Sequence, residues 1–277
     1  MPKQIMLYDT TLRDGTQGEQ VSLSVEDKLR IAQKLDEYGF HYVEGGWPGS
    51  NPKDAQFFDL AKTTPFRNIR LVAFGSTRLS QNSPEKDSNI QALLKTELET
   101  LAIFGKSWDL HAREILRVSL DENAAMIEDT LACLKKQERE VIYDAEHFFD
   151  GYKENPTYAL KTLEAAMSGG ADMIVLCDTN GGSMPHEIQR ILNDIVPYLK
   201  VPYGIHAHDD CGLALANSLV AVRSGATMVQ GTINGYGERC GNVDLASVIG
   251  NLQLKMDYQC IAAERVKQLT ELSRFVS

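Results

Sequence analysis

Residues 5–46, IMLYDTTLRDGTQGEQVSLSVEDKLRIAQKLDEYGFHYVEGG, contain one complete strand–helix–strand unit. The apolar runs at 5–9 and 42–46 have the length and composition of buried strands. Between them, Ser24 is placed to cap a helix that ends near Gly39. The apolar stripe of this helix is formed by Leu29, Ile31, Ala32 and Leu35. This stretch therefore predicts a βα repeat of an α/β protein.

The same alternation of apolar runs and helical stretches recurs along the chain, at spacings of roughly 30 residues. The eight predicted strands are residues 5–9, 42–46, 70–74, 100–104, 141–146, 173–178, 203–208 and 228–233. A closed barrel of eight such units needs about 250 residues, and the chain has 277. No GxGxxG fingerprint follows the first strand, which disfavours an open doubly wound sheet. We predict a single (β/α)8 TIM barrel over residues 1–277, with a closing helix from about Ile261 onward.

The composition excludes several classes of protein. Hydrophobic residues make up 43% of the chain and charged residues 24%, as in ordinary globular proteins. A net charge of −10 opposes nucleic-acid binding, which requires basic surface. No run approaches the ~20 apolar residues of a membrane span, and the first residues lack the apolar region of a secretory signal. The sequence predicts a cytoplasmic protein that binds neither nucleic acid nor membrane.

Polar residues after two of the predicted strands suggest a metal site. Arg13 and Asp14 follow the first strand, and His206 and His208 lie two residues apart in the seventh. Alternation along a strand points both histidines to the same face. Two histidines and a carboxylate form a site with open positions for Mn²⁺, Zn²⁺, Fe²⁺, Co²⁺ or Mg²⁺. Each pattern alone also fits a surface ion pair or ordinary polar histidines, but barrel strands bring their carboxyl ends together.

Further polar residues fall at other strand ends. Glu44, Glu146 and Thr179 each follow or end a predicted strand, where they could face a ligand or simply stabilise a turn. The glycine-rich loop at 235–242 allows close approach of backbone to a ligand, and Asn242 could add an oxygen donor. A purely structural turn is the alternative for this loop. Taken together, these residues predict an active site at the carboxyl end of the barrel.

Three segments resemble the DRE-TIM metallolyase family over essentially the whole chain. They are DTTLRDGTQ at 9–17, HAHDDCGLALANS at 206–218 and GYGERCGNVDL at 235–245. The family is named for an aspartate, an arginine and a glutamate, which here are Asp14, Arg13 and Glu44. The resemblance implies a metal-dependent enzyme of carbon–carbon bond chemistry on acyl-CoA, built on a TIM barrel.

Four shorter motifs are most similar to one branch of this family, whose members condense acetyl-CoA with pyruvate to give citramalate and CoA in isoleucine biosynthesis. The motifs are VEGGWPGSNP at 43–52, FGST at 74–77, IFGKSWD at 103–109 and YDAEHFFDGY at 143–152. The resemblance therefore implies an acyltransferase with two small-molecule substrates, a 2-oxoacid and acetyl-CoA, and a homodimer. Family synthases continue into linker and regulatory domains, which we expect to be absent from residues 1–277.

The resemblance also implies a role for each candidate residue. The expected ligands of one divalent metal ion (Mn, Mg, Zn or Co) are Asp14, His206, His208 and Asn242. The expected catalytic residues are Arg13, Glu146 and Glu44. The expected substrate-binding residues are Arg13, Gln17, Glu44 and Thr179. Arg13 would stabilise the developing alkoxide, and Glu146 would assist enolisation of the acetyl group.

Several alternative functions stay open at this point. A different 2-oxoacid would give 2-isopropylmalate or homocitrate, and residues 73–77 are expected to line the deciding pocket. A hydroxymethylglutaryl-CoA lyase is disfavoured, because residues 231–236 lack the Gly-Cys-Pro loop of those lyases and Cys240 is displaced from its position. A related carboxyl-transfer barrel, or a non-catalytic barrel with a metal-binding or assembly role, would be distinguished by substrate tests.

Overall fold

The computed structural model describes residues 3–277, so residues 1–2 of the predicted domain lie outside the described part. Eight parallel strands pair in chain order and close into a barrel, the last strand pairing with the first. The barrel strands are β2 (Met6–Asp9), β3 (Tyr42–Gly46), β4 (Arg70–Ser76), β5 (Thr100–Lys106), β6 (Glu140–Glu146), β7 (Met173–Asp178), β8 (Tyr203–Ala207) and β9 (Met228–Gly231). The predicted (β/α)8 barrel is therefore confirmed, with all eight predicted strands present.

Helices follow each barrel strand and cover the outside of the barrel. They are α1 (Val25–Tyr38), α2 (Pro52–Ala61), α3 (Ser88–Lys95), α4 (Asp109–Glu114), α5 (Leu120–Lys136), α6 (Phe148–Glu154), α7 (Pro156–Ser168), α8 (Pro185–Ile195), α9 (Ala214–Arg223), α10 (Leu245–Lys255), α11 (Ala263–Val266) and α12 (Leu269–Val276). The predicted start of α1 is confirmed, since Ser24 Oγ accepts from the Asp27 N–H at 3.0 Å. Gly39 ends the helix in the left-handed region with φ of 79°.

The core has two layers that follow from the alternation of side chains along each strand. Outward-facing strand residues pack against the helices in one large apolar cluster. Inward-facing residues fill the barrel itself, among them Tyr8, Val72, Ile142, Val175 and Met228. Packing of this kind makes the barrel a filled core and leaves only its carboxyl end for a ligand.

Two features differ from the sequence prediction. The closing helix expected from about Ile261 is divided into α11 and α12. In addition, β1 (Lys3–Gln4) pairs in parallel with β10 (Tyr258–Gln259) outside the barrel, at the end where β2 begins. Strands of two residues carry too few side chains to show a pattern, which is why this pairing was missed. None of the helices described within residues 3–277 is long and apolar enough to cross a membrane.

Candidate active site

The predicted site residues meet at the carboxyl end of the barrel, around a cavity of about 220 Å³. This is the end at which barrel enzymes carry their active sites. The predicted residues that line the cavity are Arg13, Asp14, Gln17, Glu146, Thr179, His206 and His208. Two others lie behind this lining, Glu44 against Arg13 and Asn242 against Asp14. The structure thus brings all nine predicted residues into one neighbourhood.

The three residues predicted to bind a metal converge on one point. Asp14 Oδ2 lies 3.7 Å from His206 Nε2 and 4.0 Å from His208 Nε2, and the two Nε2 atoms are 3.2 Å apart. One donor atom from each residue lies within 4.8 Å of the other two, and all three residues are buried. The spacing follows from β8 and the residue after it, where positions 206 and 208 face inward together.

The protonation states of these groups suit a cation. Burial lowers the pKa of both histidines, that of His208 to about 3, so both rings are neutral at pH 7. Burial also raises the pKa of Asp14, but Arg13 and the two histidines outweigh that effect and lower the pKa to about 2. The carboxylate and the two Nε2 atoms therefore face one point, to which neutral imidazoles can direct their Nε2 lone pairs. This donor set fits a divalent metal ion of the borderline class.

Asn242 adjoins this cluster and has an acceptor to spare. Its Nδ2 donates to Asp14 Oδ1 at 3.0 Å and to the Tyr236 carbonyl at 3.1 Å. Its Oδ1 is buried and has no hydrogen-bond partner among residues 3–277. Gly237 has a φ of 151°, and a Cβ there would collide with the Asn242 amide. The glycine-rich loop is therefore needed for the close approach of this amide to Asp14.

Arg13 is held rigidly at the cavity wall by Glu44. The Arg13 Nε donates to Glu44 Oε1 at 2.6 Å, and its guanidinium lies 3.9 Å from the centre of the Phe74 ring. Tyr8 and Thr10 hydroxyls each donate to Glu44 at 2.5 Å, so the fully buried carboxylate is completely engaged. Glu44 therefore reaches a ligand only through Arg13, which makes it a positioning residue in this geometry. Gln17 lines the cavity on the same side.

Glu146 and Thr179 face the cavity from β6 and from the loop after β7. Glu146 forms an ion pair with Lys106, a residue that the sequence analysis did not select. Thr179 Oγ1 accepts from the His147 N–H at 2.9 Å, so its own proton stays available for a ligand. The Glu146 carboxylate and the Thr179 hydroxyl thus lie on a different part of the cavity wall from Arg13 and Asp14.

A family model described as HMGL-like matches residues 4–276. The chain belongs to the HMGL-like family. The resemblance stated from the sequence is thereby confirmed, and the polar cluster at the carboxyl end of this HMGL-like barrel contains the aspartate, arginine and glutamate that the resemblance singled out.

Curated relatives of this HMGL-like chain match it along nearly its full length. It is 56% identical over 272 residues to the (R)-citramalate synthase of Geobacter sulfurreducens, covering 98% of the chain and 52% of that protein. It is 55% identical to the (R)-citramalate synthase of Aquifex aeolicus, covering 100% of the chain and 53% of the relative. A probable 2-isopropylmalate synthase of Methanopyrus kandleri is 33% identical, with coverage of 100% and 52%. The chain spans about half the length of these relatives.

Solved structures confirm the fold of the HMGL-like barrel. The HMG-CoA lyase of Bacillus subtilis has a TM-score of 0.83 and 20% sequence identity, covering 99% of this chain and 93% of the lyase. The HMG-CoA lyase of Brucella melitensis has a TM-score of 0.82 and 17% identity, with coverage of 99% and 97%. At these identities the similarity is one of fold.

Two groups of residues in the HMGL-like site contain side chains that the sequence did not reveal. One is an aromatic wall in which the unpredicted Trp47 and Phe104 join Phe74 of the predicted segment 73–77, with the Phe74 and Phe104 rings stacked at 5.1 Å. Asp144 lines the cavity from inside the barrel, and Gln230 lies next to it, where Gln230 Nε2 donates to Asp144 Oδ1 at 3.1 Å. Burial raises the pKa of Asp144 to about 8. The position of Asp144, two residues before Glu146, was the available signal, because both side chains face inward.

Proposed function

We propose that this chain is the catalytic barrel of a citramalate synthase, which condenses acetyl-CoA with pyruvate and releases citramalate and CoA. The observation that carries the proposal is the convergence of Asp14, His206 and His208 beside Arg13, with Glu146 across the same cavity. Two relatives that are 56% and 55% identical to this chain are named (R)-citramalate synthase, and these names support the choice of substrates.

One divalent metal ion would be held by Asp14, His206 and His208, with Asn242 Oδ1 as a further oxygen donor. The orphaned Asn242 Oδ1 and the facing imidazole nitrogens support this assignment. Mn²⁺, Mg²⁺, Zn²⁺ and Co²⁺ all accept such mixed donors. When bound, the ion would supply Lewis-acid polarisation of the substrate keto group.

Arg13 and Thr179 would hold the 2-oxoacid from two sides. The Arg13 guanidinium, fixed by Glu44, would donate to the keto oxygen and stabilise the negative charge that develops there. The Thr179 hydroxyl would donate to the substrate carboxylate. Both donors are already fixed by their protein contacts, so little reorganisation accompanies the reaction.

Glu146 would accept a proton from the acetyl methyl group of acetyl-CoA. The resulting enolate carbon would attack the keto carbon, forming the new carbon–carbon bond while the keto oxygen takes up the negative charge. Lys106 would fix the direction of the Glu146 carboxylate through their ion pair. The alkoxide would then take back a proton, supplied by protonated Glu146 through water, and hydrolysis of the thioester by a second water would release CoA and complete the balance of atoms.

The aromatic wall supports pyruvate as the 2-oxoacid. Trp47, Phe74 and Phe104 occupy the side of the cavity next to Arg13, and the cavity measures about 220 Å³ in all. Phe74 lies within residues 73–77, the segment expected to line this pocket. Bulky aromatic rings leave room for a methyl group more readily than for an isopropyl group, a difference of about 1–3 kcal/mol.

The test is CoA release from acetyl-CoA with a panel of 2-oxoacids, in the presence of Mn²⁺ and of EDTA. We expect metal-dependent release with pyruvate as the preferred acceptor. Preference for 2-oxoisovalerate would contradict the citramalate assignment, and acetoacetate formed from hydroxymethylglutaryl-CoA would favour a lyase. A homodimer is part of the proposal, and sedimentation velocity of the same sample measures it.

A further inference from the structure

Gln230 occupies a place inside the barrel that connects the metal site to a carboxyl group below it. It lies on β9 opposite His206 of β8 and is 1% exposed. Its Oε1 is 3.0 Å from His206 Nδ1, and its Nε2 donates to Asp144 Oδ1 at 3.1 Å. The three side chains therefore form one buried line, Asp144 to Gln230 to His206.

The donors and acceptors of these three side chains determine which atom donates in each hydrogen bond of the line. The amide NH₂ of Gln230 faces Asp144 and its carbonyl faces His206. The Asp144 Oδ1 accepts this hydrogen bond whether or not the carboxyl carries a proton on its other oxygen. The His206 Nδ1 must then carry the ring proton, because a carbonyl can only accept. This tautomer leaves the lone pair on Nε2, the atom that faces Asp14 and His208.

We propose that Gln230, held by Asp144, is a positioning residue that fixes His206 as the Nδ1–H tautomer and aims its Nε2 at the metal. The proposal rests on the metal site of the proposed function. An outer partner of this kind orients a metal-bound imidazole and raises its basicity as a ligand. The Gln230 amide supplies the acceptor, and the Asp144 carboxyl keeps the amide from turning over.

The second histidine of the site provides an internal contrast. The Nδ1 of His208 is buried and has no hydrogen-bond partner within the described residues 3–277. His206 is therefore the imidazole whose tautomer the protein sets through side chains in the barrel. A glutamine that is only 1% exposed requires partners for both ends of its amide, and this line supplies both.

The first variant is Gln230→Leu, which keeps the size of the side chain and removes both hydrogen bonds. We expect Mn²⁺ affinity, measured by the electron paramagnetic resonance signal of free Mn²⁺, to fall roughly 10- to 100-fold. ¹⁵N-histidine NMR of the metal-free protein should show one tautomer for His206 in the wild type and a mixture in the variant. The matched control is Gln253→Leu, which also loses two hydrogen bonds, those to Ile261, away from the site. It should keep wild-type Mn²⁺ affinity.

The second variant exchanges donor and acceptor along the line by combining Gln230→Glu with Asp144→Asn. The new carboxylate at 230 would accept from His206 Nδ1–H and from the new amide at 144, so the direction is preserved. We expect Mn²⁺ affinity to return to within about threefold of wild type, against the roughly tenfold or greater loss of an outer partner. This arm keeps the test decisive if Gln230→Leu folds poorly.

The outcomes separate this inference from the proposed function. If the wild type binds no Mn²⁺, or binds it equally after His206→Ala, the metal site itself is wrong. If the wild type binds through His206 but Gln230→Leu binds equally well with an unchanged tautomer, Gln230 has no positioning role. If the double variant binds Mn²⁺ no better than Gln230→Leu does, the proposed order of donors and acceptors from Asp144 to His206 is wrong.

Discussion

The two ends of the barrel are built from the same strands but from opposite kinds of side chain. Deep in the barrel, Met228, Val72 and Ile142 form an apolar filling, and β1 pairs with β10 outside the end where β2 begins. At the carboxyl end the strands carry or lead into buried charges such as Glu44 and Asp14. The apolar part stabilises the fold, whereas buried charges are costly unless they are paired. Stability and chemistry are therefore located in different parts of one barrel, and substitutions should separate them.

The largest effect is expected on turnover from Glu146→Gln at the carboxyl end. Removing the proposed base should lower kcat about 10²- to 10⁴-fold, while the free energy of unfolding stays within about 0.5 kcal/mol of wild type. CoA-release kinetics and urea unfolding measure the two quantities. Glu154→Gln is the matched control, because Glu154 lies outside the cavity and its carboxylate accepts a hydrogen bond from Trp108 alone among residues 3–277. Equal loss of activity in both variants would contradict a specific role for Glu146.

Arg13→Met should affect stability and turnover together, because Arg13 neutralises the buried Glu44 and also lines the cavity. Its loss would leave Glu44 buried without its cation, which should lower the free energy of unfolding by roughly 3–5 kcal/mol. Adding Glu44→Gln removes the stranded charge and should restore most of the stability. Both variants should lack Arg13-dependent turnover, a loss of about 10²- to 10³-fold. A double variant as unstable as the single one would show that the buried pair is not the cause.

Met228→Ala tests the apolar filling. Met228 is fully buried within the barrel, so truncation should lower the free energy of unfolding by about 2–5 kcal/mol. The folded fraction should keep near wild-type kcat, since Met228 does not line the cavity. Met184→Ala, at a side chain that is 46% exposed, is the control and should change stability by less than about 0.5 kcal/mol. Chemical unfolding with activity measured on the same samples decides the matter.

Asp144 lies at the boundary between the two parts, and its effect on stability should depend on pH. Burial, assisted by the charge of Glu44, raises the pKa of Asp144 from 3.8 to about 8. A carboxyl with a raised pKa contributes stability below its unfolded value, and that contribution is lost as pH rises through about 8. In EDTA, Asp144→Asn should therefore gain stability over wild type between pH 4 and 8, by at least about 1 kcal/mol at pH 7. Thermal melts of wild type and Asp144→Asn at three pH values measure this. A difference in stability that does not change with pH would show that the pKa of Asp144 is not raised.

Much of the fold could be predicted because its signals are local. The apolar runs of the eight strands, the Ser24 cap and Gly39 each act within a few residues of the chain. The division of the closing helix and the β1–β10 pairing could not be predicted in the same way. The pairing joins Lys3 to Tyr258, and two-residue strands carry no periodicity.

The candidate site was predictable where spacing carries the geometry. His206 and His208 lie two apart at the end of a strand, and Arg13 follows another strand end, so the barrel brings them together. Their roles in binding and catalysis, and that of Thr179, stay predictions. Lys106 was missed because an ion pair across neighbouring strands depends on the register of β5 against β6.

The sequence by itself determined the order of strands and helices, the closed barrel and the ligand types at its carboxyl end, because periodicity and strand ends are properties of short segments. Only the tertiary structure decided which groups face each other inside the barrel. Gln230 and Asp144 are 86 residues apart, and Asn242 and Asp14 are 228 apart. Hydrogen bonds between such positions depend on barrel closure and strand register, which place side chains from different strands within about 3 Å of one another.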